Sequence, residues 1–501
     1  MIVKLKNIKV WDTAETIDAI IDCSQETQTG DRQIDASGWI IAPGFADPHI
    51  HLRDPGQTEK ENMITGCAAA ASGGYTGIMI MPNTIPAADG TKGHSGEIPS
   101  GRDSVLDYLE NYEQDNGCGL PVRYCLCVCA SKNREGKEPT VYKDWEYALD
   151  GHSGGFKHPV CAISDDGSAV CEHLLAETAE NVRLAGIPFI EHCEHHDSGV
   201  MNECETSVAL NLPGIPEDTE LAIVQRDIDF ARKTGIHVHF QHISTAISVE
   251  AIRKAKEEGL NITCETAPHY ISLNDSAIAK FGTLAKMNPP LRGESDRQAI
   301  IAAIADGTID FLATDHAPHT LKEKSRGMLE APNGIIGMET AYPVAHKVLV
   351  DGGFIDDKRL IELMSVNPAR FMGLAVSNIS KILDEYAQPA TENPAETGKS
   401  QNRVLDLPAI CKQNNIAADS SWIIGKNCGG GAEDCVGGLD FVIVDPNREY
   451  AIDPQTFKSK ARNTPFANWR VTGKPLATII GGKFADEKQA LEKIFVRNGC
   501  K

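Results

Sequence analysis

The chain has 501 residues, of which 41% are hydrophobic and 24% are charged, and its formal net charge is −22. This length suffices for one large domain and a smaller one, and the negative charge disfavours nucleic acids and anionic membrane surfaces as partners. No run of about 20 apolar residues predicts a membrane span, and the first residues lack the pattern of a secretory signal. We therefore expect a cytoplasmic protein.

Hydropathy patterns divide the chain into four parts. Residues 1–43 alternate in short β-like pieces and end at a Pro-Gly break, which predicts one part of a small sheet domain. From 44 to 376, short apolar runs alternate with segments of helical character, as in βα units around a parallel sheet. Residues 377–438 show no sustained period and predict an irregular insertion. Residues 439–501 regain strand-like runs and are expected to rejoin the N-terminal sheet.

Eight apolar runs occur between residues 44 and 376, and almost every one ends in polar side chains. The ends lie near His49-Ile-His51, Met81-Pro-Asn83, Cys129-Ala130, Ser164-Asp165-Asp166, His192-Cys-Glu194, His242-Ile-Ser244, Ala267-Pro-His269 and Thr314-Asp315-His316. A (β/α)8 barrel gathers its active site at the carboxyl ends of its strands. We predict an α/β fold: a (β/α)8 TIM-type barrel with a small β-sandwich domain built from both chain ends.

Fifteen cysteines are spread along the chain, and three of them alternate at positions 125, 127 and 129. This spacing places all three on one face of a strand, whereas metal-binding cysteines usually pair across a turn as CxxC. We therefore predict buried, reduced thiols.

The strongest local signal is Asp47-Pro-His49-Ile-His51-Leu-Arg53, directly after the first predicted barrel strand. Two histidines at alternate positions of an extended segment project to the same side, so both can reach one metal ion at about 2.0–2.1 Å. An HxH pair alone is a weak signal, because core and surface histidines are common. Here His192, His242 and Asp315 end other predicted strands, and this convergence predicts a metal site.

Eight motifs occur in order: DPHIHLRDPG, GGYTGIMIMPNT, AISDDG, EHCE, HIST, KMNPPLR, ATDHAPHT and NTPFANWRVTGKP. In this combination the sequence resembles the bacterial class I dihydroorotases of the amidohydrolase superfamily over most of residues 35–375 and 439–485. The resemblance implies a zinc-dependent enzyme that reversibly hydrolyses (S)-dihydroorotate to N-carbamoyl-L-aspartate in pyrimidine (UMP) biosynthesis. The segment 377–438 departs from the usual compact form of the family.

The resemblance also implies a metal centre and a catalytic group. It implies two zinc ions per chain, with His49, His51 and Asp315 on the first, His192 and His242 on the second, and Asp166 as the bridge. Asp315 would also act as general base and then as general acid. Chemistry supports this division, because an unactivated amide needs a Lewis acid and a stronger nucleophile than free water.

The resemblance further implies a substrate site. Arg53, Asn83 and His319 would bind the substrate carboxylate beside His51, while Asn288 and the backbone around Pro332 and Gly334 would line the ring site. Asn333 stands where a bulky apolar residue is common in relatives, so the ring contacts differ there. An arginine two residues from a metal ligand can pair with a planar carboxylate, which favours an anionic ring over a neutral hydantoin.

Three alternatives remain open. The chain could be a hydantoinase-like or allantoinase-like cyclic amidohydrolase. It could instead be a non-catalytic dihydroorotase-like subunit of a partner such as aspartate transcarbamoylase, although such a protein should have lost metal ligands.

The bridge could be a carboxylated Lys157 instead of Asp166. Because Pro159 cannot donate to a central strand ladder, Lys157 is expected before the fourth strand, at the wrong end of the barrel. Homo-oligomers and association with aspartate transcarbamoylase are further expectations.

The segment TLKEKSRG, residues 320–327, is charged and poor in apolar side chains. It predicts either a mobile lid over the substrate or an ordinary exposed loop.

Overall fold

Eight parallel strands form the predicted barrel in the computed structural model, which describes residues 2–22, 31–94, 96–149, 155–194, 199–386, 402–414 and 438–495. In chain order and in spatial order these barrel strands are Phe45–Ile50, Tyr75–Ile80, Arg123–Val128, Val160–Ile163, Phe189–Glu191, Val238–Phe240, Ile262–Thr266 and Phe311–Leu312. Each neighbouring pair runs parallel. The predicted fold class is confirmed, and the polar residues noted in the sequence lie at or just beyond the carboxyl ends of these strands.

Helices connect the barrel strands and cover the outside of the barrel. The α-helices up to residue 371 are Met63–Gly73, Val105–Glu110, Tyr112–Asn116, Tyr142–Trp145, Leu175–Ala185, Glu205–Ala209, Asp218–Thr234, Ala246–Glu257, Pro268–Ser272, Ala277–Phe281, Glu294–Asp306, Leu321–Lys324, Ala341–Ala345, Asp357–Ile361 and Asn367–Phe371. A short strand pair, Met201–Asn202 with Gly214–Ile215, lies between the fifth and sixth barrel strands. None of the described helices is long and apolar enough to cross a membrane.

The first and eighth barrel strands meet through side-chain and loop contacts, which we call the seam (residues 47–51 against 314–316). The fully buried Asp47 carboxylate accepts hydrogen bonds from Thr314 N at 3.2 Å and Thr314 Oγ1 at 2.6 Å. Just beyond, His51 N donates to His316 O at 2.9 Å. The seam closes the barrel and brings the histidines of the first strand beside the residues that follow the eighth.

Small apolar side chains and thiols fill the barrel interior. Met79, Met81, Cys125 and Cys127 are all buried in one cluster there. Cys129 is also buried and free, and burial raises the pKa of each of the three thiols well above its ordinary value. The prediction of buried, reduced cysteines on the third strand is confirmed.

Both chain ends build a second sheet beside the barrel. Its strands, in spatial order, are Val404–Asp406, Thr16–Asp22, Lys483–Phe484, Arg470–Ile480, Phe441–Ala451, Ile40–Pro43, Ile2–Val10 and Arg32–Asp35. Because Ile2–Val10 also pairs with Thr16–Asp22, the sheet closes on itself around its own apolar core. This is the small β domain expected from the two ends of the chain.

The segment 377–438 is more regular than expected. Its described parts contain two helices, Ile379–Tyr386 and Leu407–Asn414, and the strand Val404–Asp406, which extends the small sheet. The helix Ile379–Tyr386 buries Ile379, Ile382 and Leu383 in the core of that sheet. This apolar stripe at helical spacing is only one short helix long. The polar residues that follow it obscure the helical pattern in the sequence, so the helix was not predicted.

One buried ion pair joins the barrel to the small domain. Arg123, at the start of the third barrel strand, donates from Nε to Asp440 Oδ2 at 2.8 Å, and both side chains are about nine-tenths buried. Asp440 Oδ1 also accepts from Gly481 N at 2.8 Å. The pair therefore connects the barrel with two strands of the small sheet.

Replacing Arg123 should destabilise the protein strongly. Arg123→Ala would leave Asp440 buried without its cation, and removing one partner of a buried pair costs about 3–5 kcal/mol. Urea unfolding followed by circular dichroism measures this loss. Lys254→Ala, which removes an exposed pair with Glu250, is the control and should cost about 0–1 kcal/mol. Equal losses in the two variants would contradict the role of the ion pair.

Candidate active site

A cavity opens at the carboxyl ends of the barrel strands, with an empty volume of about 530 Å³. Its walls come from the residues that follow several different strands. They are His51, Arg53, Asn83, Asp166, Gly167, His192, His242, Asn288, Asp315, Ala317, Asn333 and Gly334. Most of the residues singled out in the sequence therefore meet at one place, as the barrel geometry predicts.

A first group of ligand-type atoms comes from the two strands at the seam. Asp315 Oδ1 lies 3.0 Å from His51 Nε2 and 3.7 Å from His49 Nε2. The three side chains are buried, and their ligand atoms lie within 4.8 Å of one another. This is the trio that the resemblance assigns to the first metal.

Asp166 lies between the histidines of the first strand. Its Oδ1 is 3.2 Å from His49 Nε2, and its Oδ2 is 3.6 Å from His51 Nε2. The next residue, Gly167, has φ +89°, a conformation that glycine adopts without strain, and it also lines the cavity. The two carboxylate oxygens thus face different histidines, both of which the resemblance assigns to the first metal, while Asp166 also groups with His242.

A second group consists of His49, Asp166 and His242, again with ligand atoms within 4.8 Å of one another. The His192 ring lies next to it, 4.6 Å from the His242 ring between centroids. The arrangement differs in detail from the predicted one. His49 belongs to both groups, and His192 belongs to neither, although its ring lies beside the ring of His242. Five of the six predicted ligands nevertheless line one cavity, and the sixth, His49, belongs to both ligand groups beside it.

The protonation states of two buried groups, His242 and Asp166, suit metal binding directly. At His49, burial opposes the charged ring, but Asp166 and Glu265 outweigh it and hold the pKa well above its ordinary value, so this ring must release its proton to a metal. Burial, together with the neighbouring rings of His192 and His49, holds the pKa of His242 well below its ordinary value, so that its imidazole is neutral. Burial opposes ionisation of Asp166, but His51 and His49 outweigh it and hold the pKa of Asp166 well below its usual range. Neutral imidazoles and ionised carboxylates are the forms that bind metals.

The donor set fits zinc. It combines imidazole nitrogens with carboxylate oxygens, both of which are zinc ligands. His242 Nδ1 is buried and makes no hydrogen bond to any described residue, which is costly for a polar atom unless a ligand completes it. The residues therefore fit the metal that the sequence implied.

Glu265 is a functional residue that the sequence analysis did not identify. Its Oε1 lies 2.7 Å from His49 Nδ1, and its Oε2 lies 3.2 Å from His239 Nε2. A carboxylate on Nδ1 fixes the tautomer of a ligating histidine and leaves Nε2 free for the metal. The signal was a lone glutamate inside the apolar seventh strand, two residues before the predicted strand end.

Three residues of the site hold strained backbone conformations. Arg53, His242 and Asp315 have φ values of 60°, 33° and 45°, in the left-handed region that residues other than glycine rarely adopt. All three line the cavity. Strain of this kind persists where surrounding contacts fix it, and it concentrates at active sites.

The predicted substrate residues are placed unequally. Arg53, Asn83, Asn288 and Gly334 line the cavity, whereas His319 and Pro332 are not among its lining residues. Asn83 Oδ1 accepts a hydrogen bond from His51 Nδ1 at 2.8 Å, and Asn83 Nδ2 donates to Asp166 Oδ2 at 3.1 Å. Asn83 therefore orients two ligands.

His319 lies behind the cavity wall and is largely buried. Burial, and then the cations Arg53 and Lys60, lower the pKa of His319 to about 2, so its ring is neutral. Asn333 lines the cavity instead. The resemblance did not assign Asn333 a contact with the substrate.

Lys157 lies away from the cavity. Its side chain is 47% exposed and pairs with Glu113 at 2.9 Å, and it precedes the fourth barrel strand Val160–Ile163. The expectation that Lys157 sits at the other end of the strand is confirmed.

Comparisons with known proteins agree with this geometry. The sequence pattern of the amidohydrolase family matches residues 40–382. Dihydroorotases of Acetivibrio thermocellus and Thermoanaerobacter sp. are 35% and 36% identical to this chain, covering 91% and 92% of it and 89% and 90% of their own lengths. The solved dihydropyrimidinase of Brevibacillus agri, at 19% identity, and L-hydantoinase of Arthrobacter aurescens, at 21%, each superpose with a TM-score of 0.66 and cover 97% and 96% of the chain and 95% of their own. These two share the fold.

Weakening the Glu265 contact should weaken metal binding. Glu265→Gln keeps an acceptor for His49 but removes its charge, and such changes typically cost about 10- to 100-fold in metal affinity. Competition with a chromogenic chelator measures the affinity. The control is Glu339→Gln, a carboxylate that accepts from Lys458 N and Ser459 N away from the cavity. Identical affinities in the two variants would argue against the role of Glu265.

Proposed function

Because the chain belongs to the amidohydrolase family and is similar to dihydroorotases over more than nine-tenths of its length, we propose that it catalyses the reversible hydrolysis of (S)-dihydroorotate to N-carbamoyl-L-aspartate. The chain is a cyclic amide hydrolase. One observation carries the choice of substrate: a half-buried arginine, Arg53, stands in the wall of the same cavity as the ligand cluster. We further propose that the reaction serves pyrimidine synthesis.

Arg53 is suited to hold the carboxylate of the substrate. Burial lowers the pKa of Arg53 to about 10, so it remains charged at neutral pH. Its Nε donates to Pro318 O at 3.4 Å, and its two terminal nitrogens make no hydrogen bond to a described residue. A planar guanidinium with two free donors matches a carboxylate. Binding there would place the amide of the ring over Asp315 and Asp166.

We propose two zinc ions per chain, held by His49, His51, Asp166, His192, His242 and Asp315. When bound, the metal would polarise the amide carbonyl and make water a stronger nucleophile at neutral pH. Asn83 and Glu265 would orient the ligands, because each contacts a ligating side chain directly.

We propose that Asp315, which lies 3.0 Å from His51 Nε2, moves the proton. During ring opening the water oxygen adds to the amide carbon, and the Asp315 carboxylate takes the proton that water loses. When the carbon–nitrogen bond breaks, Asp315 returns that proton to the departing nitrogen. Ring closure runs the same steps backwards. General acid–base catalysis of this kind contributes typically 10²–10⁴-fold.

The alternatives differ in what they require of the site. A hydantoinase has no substrate carboxylate, so a charged Arg53 in the wall would be an unpaired cation. A non-catalytic subunit would not need five ligand-type side chains in one cavity wall with His49 grouped beside them. Self-association and association with an aspartate transcarbamoylase remain proposals, which light scattering of the chain alone and of the mixture would test.

The purified, zinc-loaded protein should open dihydroorotate. Ultraviolet absorbance follows the loss of the ring, and hydantoin and allantoin serve as neutral comparison substrates. Asp315→Asn should lower kcat by about 10²–10⁴-fold, because the proton carrier is lost. Turnover of hydantoin or allantoin without turnover of dihydroorotate would show that the alternative activity is correct.

The bridge between the metals should depend on Asp166 and not on Lys157. Asp166→Ala is expected to abolish turnover and to lower the zinc content measured by atomic emission. Lys157→Ala removes only an exposed ion pair and should leave both nearly unchanged. Retained zinc and turnover in Asp166→Ala, with loss of both in Lys157→Ala, would reverse the assignment.

A further inference from the structure

Two buried lysines hold the loop of residues 331–334, which we call the wall loop. Lys324 Nζ donates to Pro332 O at 2.9 Å and to Gly334 O at 3.0 Å. Lys286 Nζ donates to Ala331 O at 2.6 Å. Three carbonyls of one short loop thus turn away from the cavity toward two ammonium groups.

These lysines have no carboxylate partner among the described residues. Lys324 is 2% exposed and Lys286 is 5% exposed, and neither forms an ion pair within that part of the chain. Burying a cation in this way is costly, and burial and the nearby Lys286 lower the pKa of Lys324 to about 7. A methionine would fill the same space without that cost. The presence of a lysine at position 324 is therefore explained by the hydrogen bonds that its ammonium group donates to the carbonyls.

The wall loop shapes the cavity. Asn333 and Gly334 line it, and the ring of His319 is hydrogen-bonded to the backbone of Asn333. Asn463, from the segment before the last long strand, donates to Gly334 O at 3.2 Å and to Ala317 O at 3.0 Å. Movement of this loop would therefore shift the part of the cavity wall that Asn333 and Gly334 form, and neither residue is one of the six predicted ligands.

We propose that Lys324 is a positioning residue whose ammonium group fixes the wall loop and thereby sets the affinity for the cyclic substrate. This inference rests on the proposed function, since it concerns the same cavity. Lys324 touches neither the cavity nor the six ligands. Its removal should therefore raise KM and leave kcat and metal content close to those of the unmodified enzyme.

The same contacts bear on residues 320–327, for which a mobile lid was one prediction. The helix Leu321–Lys324 begins with a reciprocal cap between Thr320 and Glu323, and Glu323 pairs with Lys60 at 3.1 Å. Lys324, at its end, is tied to the wall loop. These anchors argue against a lid and favour a fixed support for the cavity wall.

The test compares Lys324→Met with Lys322→Met in the zinc-loaded enzyme. Lys322 is exposed and lies on the same helix, so it controls for loss of a charge nearby. Lys324→Met should raise KM for dihydroorotate by about 10- to 100-fold, because each loop residue that must be ordered on binding costs about a factor of ten. Lys324→Arg, which keeps the charge and donors, should raise KM less. Lys322→Met should resemble the unmodified enzyme.

Hydrogen–deuterium exchange of residues 328–338 in the substrate-free enzyme gives a second readout. Exchange should be faster in Lys324→Met and unchanged in Lys322→Met. Should Lys324→Met fail to fold, Lys324→Gln is measured by the same criteria. Unchanged KM and exchange would overturn the proposal, and so would a fall in kcat and zinc content at unchanged KM.

The two proposals can fail separately. If the unmodified enzyme does not open dihydroorotate, the proposed function fails, and KM for the cyclic amide that it does hydrolyse enters the same comparison.

Discussion

The site depends on the closure of the barrel at the seam between its first and eighth strands. Asp47 is fully buried there, and burial raises its pKa to about 7. Its bonds to Thr314 hold together two strands that are 267 residues apart in the chain. His49 and His51 lie just beyond Asp47, and Asp315 directly follows Thr314. Closing the barrel and assembling the first ligand group are therefore one event.

Much of this could be predicted from the sequence because barrel strands carry their functional residues at one end. His49, His51, Asp166, His242 and Asp315 were recognisable from residue type and from their place after apolar runs. Lys157 was correctly excluded by the proline that follows it two residues later. The alternation of apolar runs and helical segments was long enough to indicate the fold class. No contact between distant residues had to be known for that prediction.

The contacts that support the site could not be predicted in the same way. Glu265 binds His49 across more than 200 residues, and a single glutamate in a strand gives no sign of its partner. Nothing in the sequence marks Lys286 and Lys324 as buried, because their burial follows from the packing of the wall loop. The helix Ile379–Tyr386 was missed, since its apolar stripe gains a partner only when the small sheet is complete.

The construction of the small domain from both ends of the chain has a consequence during protein synthesis. Ile2–Val10 and Ile40–Pro43 leave the ribosome well before Phe441–Ala451, the strand with which Ile40–Pro43 pairs and which is made about 400 residues later. Until then the apolar face of the N-terminal strands has no cover, and the edge of Ile40–Pro43 is open to pairing with other chains. We therefore expect the yield of this enzyme to depend less on the folding of its barrel than on the completion of translation. Until then, a chaperone that covers these early strands should raise the yield.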